Sequence, residues 1–200
     1  MKFEVDAVLF DMDGTLLDSS AAIEATWLEF ADRHRLDRDA VLAALPGRVA
    51  ASIIADFLPE PEVSGALRWI REREQLQELP NPALPGAAGF VAGLPAERWA
   101  VVTSAARSMM SARMARAGLP VPGVSVCAED VLVGKPAPDG FEEAAELLGA
   151  DIRKCLVFED SAAGVEAGLR AGALVVSIGP VREGVPWISD YSQVELSWLR

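Results

Sequence analysis

The sequence predicts an α/β fold: a doubly wound, mainly parallel, Rossmann-like sheet with an inserted all-helical cap. Two observations carry this. From about residue 84 onward, short runs rich in Val, Leu and Ile alternate with helical patterns. Between residues 20 and 80 that alternation fails, and no strand pattern interrupts the helices. With 200 residues and 51% hydrophobic content the chain can bury a substantial core, and 24% charged residues exclude a disordered chain.

The first strand is "VDAVLF" (5–10), a run apolar enough to be buried on both faces. Next comes the insert, where "AAIEATWLEFADRH" places Ile23, Trp27 and Phe30 on one helical face. "VAASIIADF" does the same with Val49, Ile53 and Phe57, and a third helical stretch runs from about Glu62 to Leu79. The proline-rich "LPNPALPGAAG" (79–89) marks the return to the sheet. "RWAVVT" (98–103), "KCLVFE" (154–159), "ALVVSI" (173–178) and the weaker "GVSVC" (123–127) supply further strands. Between them, residues 108–118, 139–149 and 161–172 read as helices, and Gly118 and Gly149 suit helix C-termini. The expected division is a core of residues 1–18 and 84–200 and a helical cap of residues 19–83. Ligands of such sheets sit beyond the carboxyl ends of the strands, so an insert directly after the first strand is placed as a lid.

The net charge of −12 argues against nucleic acid or an anionic membrane as partner. No signal-like leader and no run long enough to span a bilayer is evident, and Cys127 and Cys155 lie in apolar runs as free thiols would. A cytoplasmic protein with no obligate protein partner is expected. The acidity raises a question for any anionic ligand, which would need a local cation.

The strand ends answer it. The first stops on Asp11-Met12-Asp13-Gly14-Thr15, a later one on Thr103-Ser104, another on Glu159-Asp160, and Lys135 follows the weak strand. Taken singly, Asp beside Gly is a turn and Ser104 a helix N-cap. Taken together, one sheet edge collects carboxylates, a hydroxyl and an ammonium. Clustered carboxylates suit a hard divalent cation, and Mg²⁺ binds a few of them while keeping phosphate oxygens in its shell. Lys135 and Ser104 are donors suited to phosphate oxygens, so a small phosphorylated metabolite is the expected partner.

"DMDGTLLDS", "VVTSAARS", "GKPAPDGF" and "VFEDSAAGVEAG" resemble, in order, the four motifs of the haloacid dehalogenase-like hydrolase superfamily. More narrowly they resemble its helical-capped sugar- and polyol-phosphate phosphatases and beta-phosphoglucomutases. The resemblance implies that Asp11 is the nucleophile, forming an aspartyl-phosphate, and that Asp13 is the general acid and base. It implies metal ligation by Asp11, the Asp13 backbone carbonyl and Asp160, with Glu159 binding directly or through water. Asp11, Asp13, Ser104, the Ala105 amide and Lys135 would meet the substrate's phosphoryl group and ester oxygen.

Within that branch the sequence points to hydrolysis. The mutases carry a histidine in the first cap helix where this chain has a residue at or near Ile23, and its single histidine, His34, lies at the helix's far end and reads as a solvated surface residue. Phosphonate-cleaving relatives use a cap lysine, and residues 20–81 contain none. In the cap, "LPGRVAAS" (45–52) offers Gly47 and Arg48, the latter a candidate for sugar hydroxyls or a phosphate oxygen. Arg107 is equally open. A non-enzymatic phosphoacceptor signalling domain fits less well, because its aspartate follows a later strand and no insert follows its first.

Overall fold

The computed structural model describes residues 1–46, 48–77 and 79–199. Its centre is a six-stranded, all-parallel sheet in the order β4-β3-β2-β5-β6-β7. These strands are β2 (Ala7–Phe10), β3 (Trp99–Val102), β4 (Val124–Val126), β5 (Cys155–Glu159), β6 (Leu174–Ile178) and β7 (Trp187–Ile188). Each expected run lies in it, trimmed by a residue or so. The first run differs. It breaks at Asp6, whose amide donates to the Lys154 carbonyl, and the segment before it forms β1 (Lys2–Val5). That strand pairs in parallel with β8 (Glu195–Trp198) in a separate two-stranded sheet.

Side chains alternate across the central strands, so each strand feeds two cores. On one face Val8, Phe10, Trp99, Val101, Leu156 and Phe158 pack beneath α5 (Ala87–Ala92) and α6 (Arg107–Arg116). On the other, Leu9, Val102, Val157 and Val175 meet α7 (Asp139–Leu148) and α8 (Ala162–Ala171) through Phe141, Ala144 and Val165. Phe10 and Phe158 stack at 5.3 Å, with Phe90 and Tyr191 packed on them. Cys127 belongs to the first core and Cys155 to the second, so the sheet itself separates the two free thiols. Gly118 and Gly149 take positive φ just past their helices, the left-handed conformation in which a side chain is strained.

Between β2 and α5 lie four helices: α1 (Ser20–His34), α2 (Arg38–Ala43), α3 (Ala50–Phe57) and α4 (Glu60–Leu76). They enclose a core of their own, built on Trp27, Phe30, Val41, Ile53, Ile54 and Ile70. Val49 caps α3 rather than joining this core, and its side chain approaches Gly134 of the sheet part instead. His34 is half-buried against the Phe30 ring at 4.8 Å, not solvated as its polar neighbours suggest. The two chain crossings lie side by side: Leu17 bridges Ala83, and the Asp18 amide donates to the Pro82 carbonyl. No described helix is long and apolar enough to cross a membrane.

Phe158 is fully buried between the stacked rings and the sheet. Phe158→Ala should therefore cost about 3–5 kcal/mol, the range for deleting a buried aromatic. Urea denaturation with an unchanged slope and a lower midpoint checks this.

Candidate active site

The site begins where β2 ends. The Asp11 amide still donates to Phe158 of β5, and then the chain leaves the sheet. The Met12 carbonyl accepts from the amides of Thr15, Leu16 and Leu17, which winds residues 12–17 into a tight loop. Gly14 has φ +84° there, and a Cβ at that position would come within 2.0 Å of Asp160 Oδ2. Only glycine both takes this conformation and lets the first loop touch the loop after β5. Tyr191, fully buried, donates to the Thr15 carbonyl at 3.0 Å and supports the loop from beneath.

Asp11, Glu159 and Asp160 come together here, with one carboxylate oxygen of each within 4.8 Å of the others. Lys135 reaches in from the loop before α7. Its ammonium donates to Asp11 Oδ1 and Glu159 Oε1, both at 2.6 Å, and to the Val102 carbonyl at 3.0 Å. The other Glu159 oxygen accepts from the Ser161 amide and hydroxyl. Both Glu159 oxygens are thus occupied in holding Lys135 and the start of α8. Asp160 accepts one hydrogen bond from Thr15 Oγ1 at 3.3 Å.

The electrostatics are those of an acidic cluster short of positive charge. Burial raises the Asp11 carboxyl well above the usual range; Lys135 opposes this, and Glu159 and Asp160 add to it. Burial, then Glu159, push Asp160 up to about 7. Burial works against the Lys135 ammonium, but Asp11 and Glu159 outweigh it and hold its pKa above the ordinary lysine value. Three carboxylates, Asp11 and Glu159 buried and Asp160 half-buried, face one ammonium. This excess of negative charge, on hard oxygen donors at short range, fits a divalent cation, and Asp11 and Asp160 are the carboxylates with oxygens to spare.

Asp13 points elsewhere. It accepts from Ser19 Oγ on one oxygen and from Arg113 Nη1 at 2.7 Å on the other. Both aspartates line one cavity of about 680 Å³, bounded below by the sheet edge and above by the inserted helices. Ser104 and Ala105 line it as well, and the Ala105 amide meets Thr103 Oγ1 at 3.1 Å. Arg48 lies on the cavity wall, but its guanidinium is turned to Asp56 and Ser52. Gly47 lies outside the described residues. Arg107 is not in the cavity lining; it pairs with Asp130 and Ser125. Ile23 does line it, with no titratable group.

Residues 5–172 match the family model described as a haloacid dehalogenase-like hydrolase. The chain belongs to that family. It is 39% identical to Hexitol phosphatase A of Escherichia coli (strain K12) over 178 residues, which cover 85% of this chain and 81% of the relative. Identity to Glycerol-1-phosphate phosphohydrolase 2 of Saccharomyces cerevisiae (strain ATCC 204508 / S288c) is 32%, over 89% of this chain and 76% of that one. Among solved structures, a hydrolase from Pseudomonas syringae superposes with a TM-score of 0.79 at 25% identity, covering 92% and 93% of the two chains. Hydrolases of this family generally use a divalent metal, and the buried acidic cluster is where this chain can hold one.

Several members of the site are not evident in the sequence. Ser19, Glu74, Arg113, Ser161 and Tyr191 all act through contacts between residues far apart in the chain or through caps that many helices carry.

The raised Asp160 fixes a pH dependence. Without metal, the folded state holds a proton between the unfolded value of 3.8 and about 7 that the unfolded chain has lost. Stability of the metal-free protein should therefore fall as pH rises from about 4 to about 7, and Asp160→Asn should flatten that slope. Thermal melts across this range check it; added Mg²⁺ should raise Tm more at pH 8 than at pH 5, because bound ligands must be deprotonated.

Proposed function

We propose that the chain is a Mg²⁺-dependent phosphatase of small phosphate monoesters, with sugar or polyol phosphates as the substrate class, working through an aspartyl-phosphate on Asp11. The observation that carries this reading is the junction of Asp11 with Lys135, Glu159 and Asp160, of which Asp11 and Asp160 line the same cavity as Asp13. The family and the two phosphatases that the chain resembles support it.

Asp11, held in place by Lys135 through Oδ1, is the carboxylate that attacks phosphorus in line. Lys135, Ser104 and the Ala105 amide bind the phosphoryl oxygens, so catalysis rests on positioning and charge neutralisation. The residues that would hold Mg²⁺ are Asp11, Asp160 and the Asp13 carbonyl, with Glu159 acting through Lys135 or water. When bound, the ion supplies positive charge to the phosphoryl oxygens that a chain of net charge −12 otherwise lacks. Asp13 gives a proton to the departing alcohol and later takes one from water.

The helical insert, residues 19–83, serves as a lid over a core of residues 1–18 and 84–200. Ile23, Trp27, Leu42, Leu45 and Leu67 line its side of the cavity, and Glu24 and Arg71 add hydrogen-bonding groups for hydroxyls. The cavity has room for an alcohol the size of a hexose or hexitol. Arg48 reaches such a substrate on leaving Asp56. Lid closure excludes bulk water from the leaving group, and reopening releases the product.

The test is phosphate release from a panel of sugar, polyol and glycolytic monoesters. Turnover should require Mg²⁺, stop with chelator and return when the ion is restored. Asp11→Asn should remove at least about 10³-fold of the rate while leaving the thermal melt intact; normal turnover in that variant sinks the covalent route. Incubation with beta-glucose 1-phosphate and a bisphosphate primer should yield free phosphate; accumulation of glucose 6-phosphate instead would make the chain a mutase.

A further inference from the structure

Arg113 is the one buried arginine of α6, only 4% exposed, and it joins three parts of the molecule. Nη1 donates to Asp13 Oδ2 at 2.7 Å, and Nη2 donates to Glu74 Oε1 at 3.3 Å. Glu74 belongs to α4, in the helical insert, and faces the same cavity. Burial raises the Glu74 carboxyl, and Arg113 opposes that shift. The neighbouring contacts set α4 against α6: Gln75 donates to Ser108 Oγ at 3.3 Å, and Arg116 to the Gln75 carbonyl at 3.2 Å. Glu74 thus reaches Arg113 only while the insert is seated on the core.

Both oxygens of Asp13 accept a hydrogen bond, one from Ser19 and one from Arg113. These two contacts fix the direction of the Asp13 carboxyl group, the proton acceptor of the second half-reaction. Resting on the phosphatase reading above, we propose that Arg113 is a positioning residue for the second half-reaction, and that Glu74 anchors it from the seated cap. In that step water forms a bond to phosphorus, the bond from phosphorus to the Asp11 oxygen breaks, and the water proton passes to Asp13. The products are inorganic phosphate and the free Asp11 carboxylate. Arg113 keeps the Asp13 carboxyl group aimed; Glu74 prevents the guanidinium from swinging out with Asp13.

The two half-reactions are separable with p-nitrophenyl phosphate, whose leaving group needs no proton. For this substrate kcat/KM reports transfer to Asp11, and kcat includes discharge of the phosphoenzyme. Arg113→Met should lower kcat at least ten-fold and KM nearly in proportion, keep kcat/KM within about three-fold, and give a burst of nitrophenolate with trapped phosphoenzyme. Arg113→Lys, which can hold Asp13 with one ammonium but cannot span to Glu74, should restore part of kcat. Glu74→Gln, isosteric and safe for the fold, should shift kcat in the same direction by a smaller factor. The double variant should be no slower than Arg113→Met alone. Equal losses in kcat and kcat/KM, no burst, or additive effects of the two changes would overturn the assignment. A wild-type protein that releases no phosphate from any ester would instead overturn the reading beneath it.

Discussion

The Lys135 ammonium, buried between Asp11 and Glu159, is the constraint on which the rest of this structure turns. Desolvating three carboxylates within 4.8 Å of one another is costly, and one fixed cation offsets only part of it. The backbone is shaped to permit the crowding. A Cβ on Gly14 would sit within 2.0 Å of Asp160, and one on Gly164 within 1.7 Å of Glu159. Those two glycines let the first loop and the start of α8 close onto the acids, and the close approach leaves no room for side chains there. The site is held in an electrostatically unfavourable state by packing around it, and a divalent cation is the kind of ligand that would relieve it.

The cavity is built by two parts with different duties. The sheet edge supplies the clustered acids from the ends of β2 and β5, strands whose apolar residues are locked into two cores, and Lys135 from the loop before α7. The helical insert supplies a largely apolar ceiling with a core of its own, so its surface can vary without disturbing the acids. The crossings at Leu17–Ala83 and Asp18–Pro82 are the short tethers between the two parts.

The acidic half of the site could be read from the sequence because strand ends announce themselves: an apolar run stopping on Asp11, on Thr103 or on Glu159-Asp160 has one place to put those groups. The insert was legible for a similar reason, since helical periodicity without strands has a clear signature. The break at Asp6 was not, because a run of apolar residues on either side of one aspartate looks continuous until β8 arrives to pair with the first part. Nor was Arg113. It stands among Arg107 and Arg116 in a helix whose polar residues suggest a solvated face. One signal was present: Arg113 shares a helical face with Met109, Met110 and Met114, all buried, so helical spacing places it inside rather than out. What it touches there, a carboxylate from β2 and another from α4, depends on the assembled fold.

That placement bears on how one chain uses two aspartates, a single residue apart, in opposite capacities. Asp11 meets Lys135 and the acidic cluster; Asp13 meets Ser19 and Arg113. Each aspartate thus has a buried cation of its own, on a different side of the loop that Met12 winds. With separate partners, the proposed nucleophile is held by Lys135 and the proposed base by Arg113. The turn at Asp11-Met12-Asp13-Gly14 is therefore more than an exit from the sheet: it sends two carboxylates, one residue apart, to different cations, which is what the two roles proposed for them require.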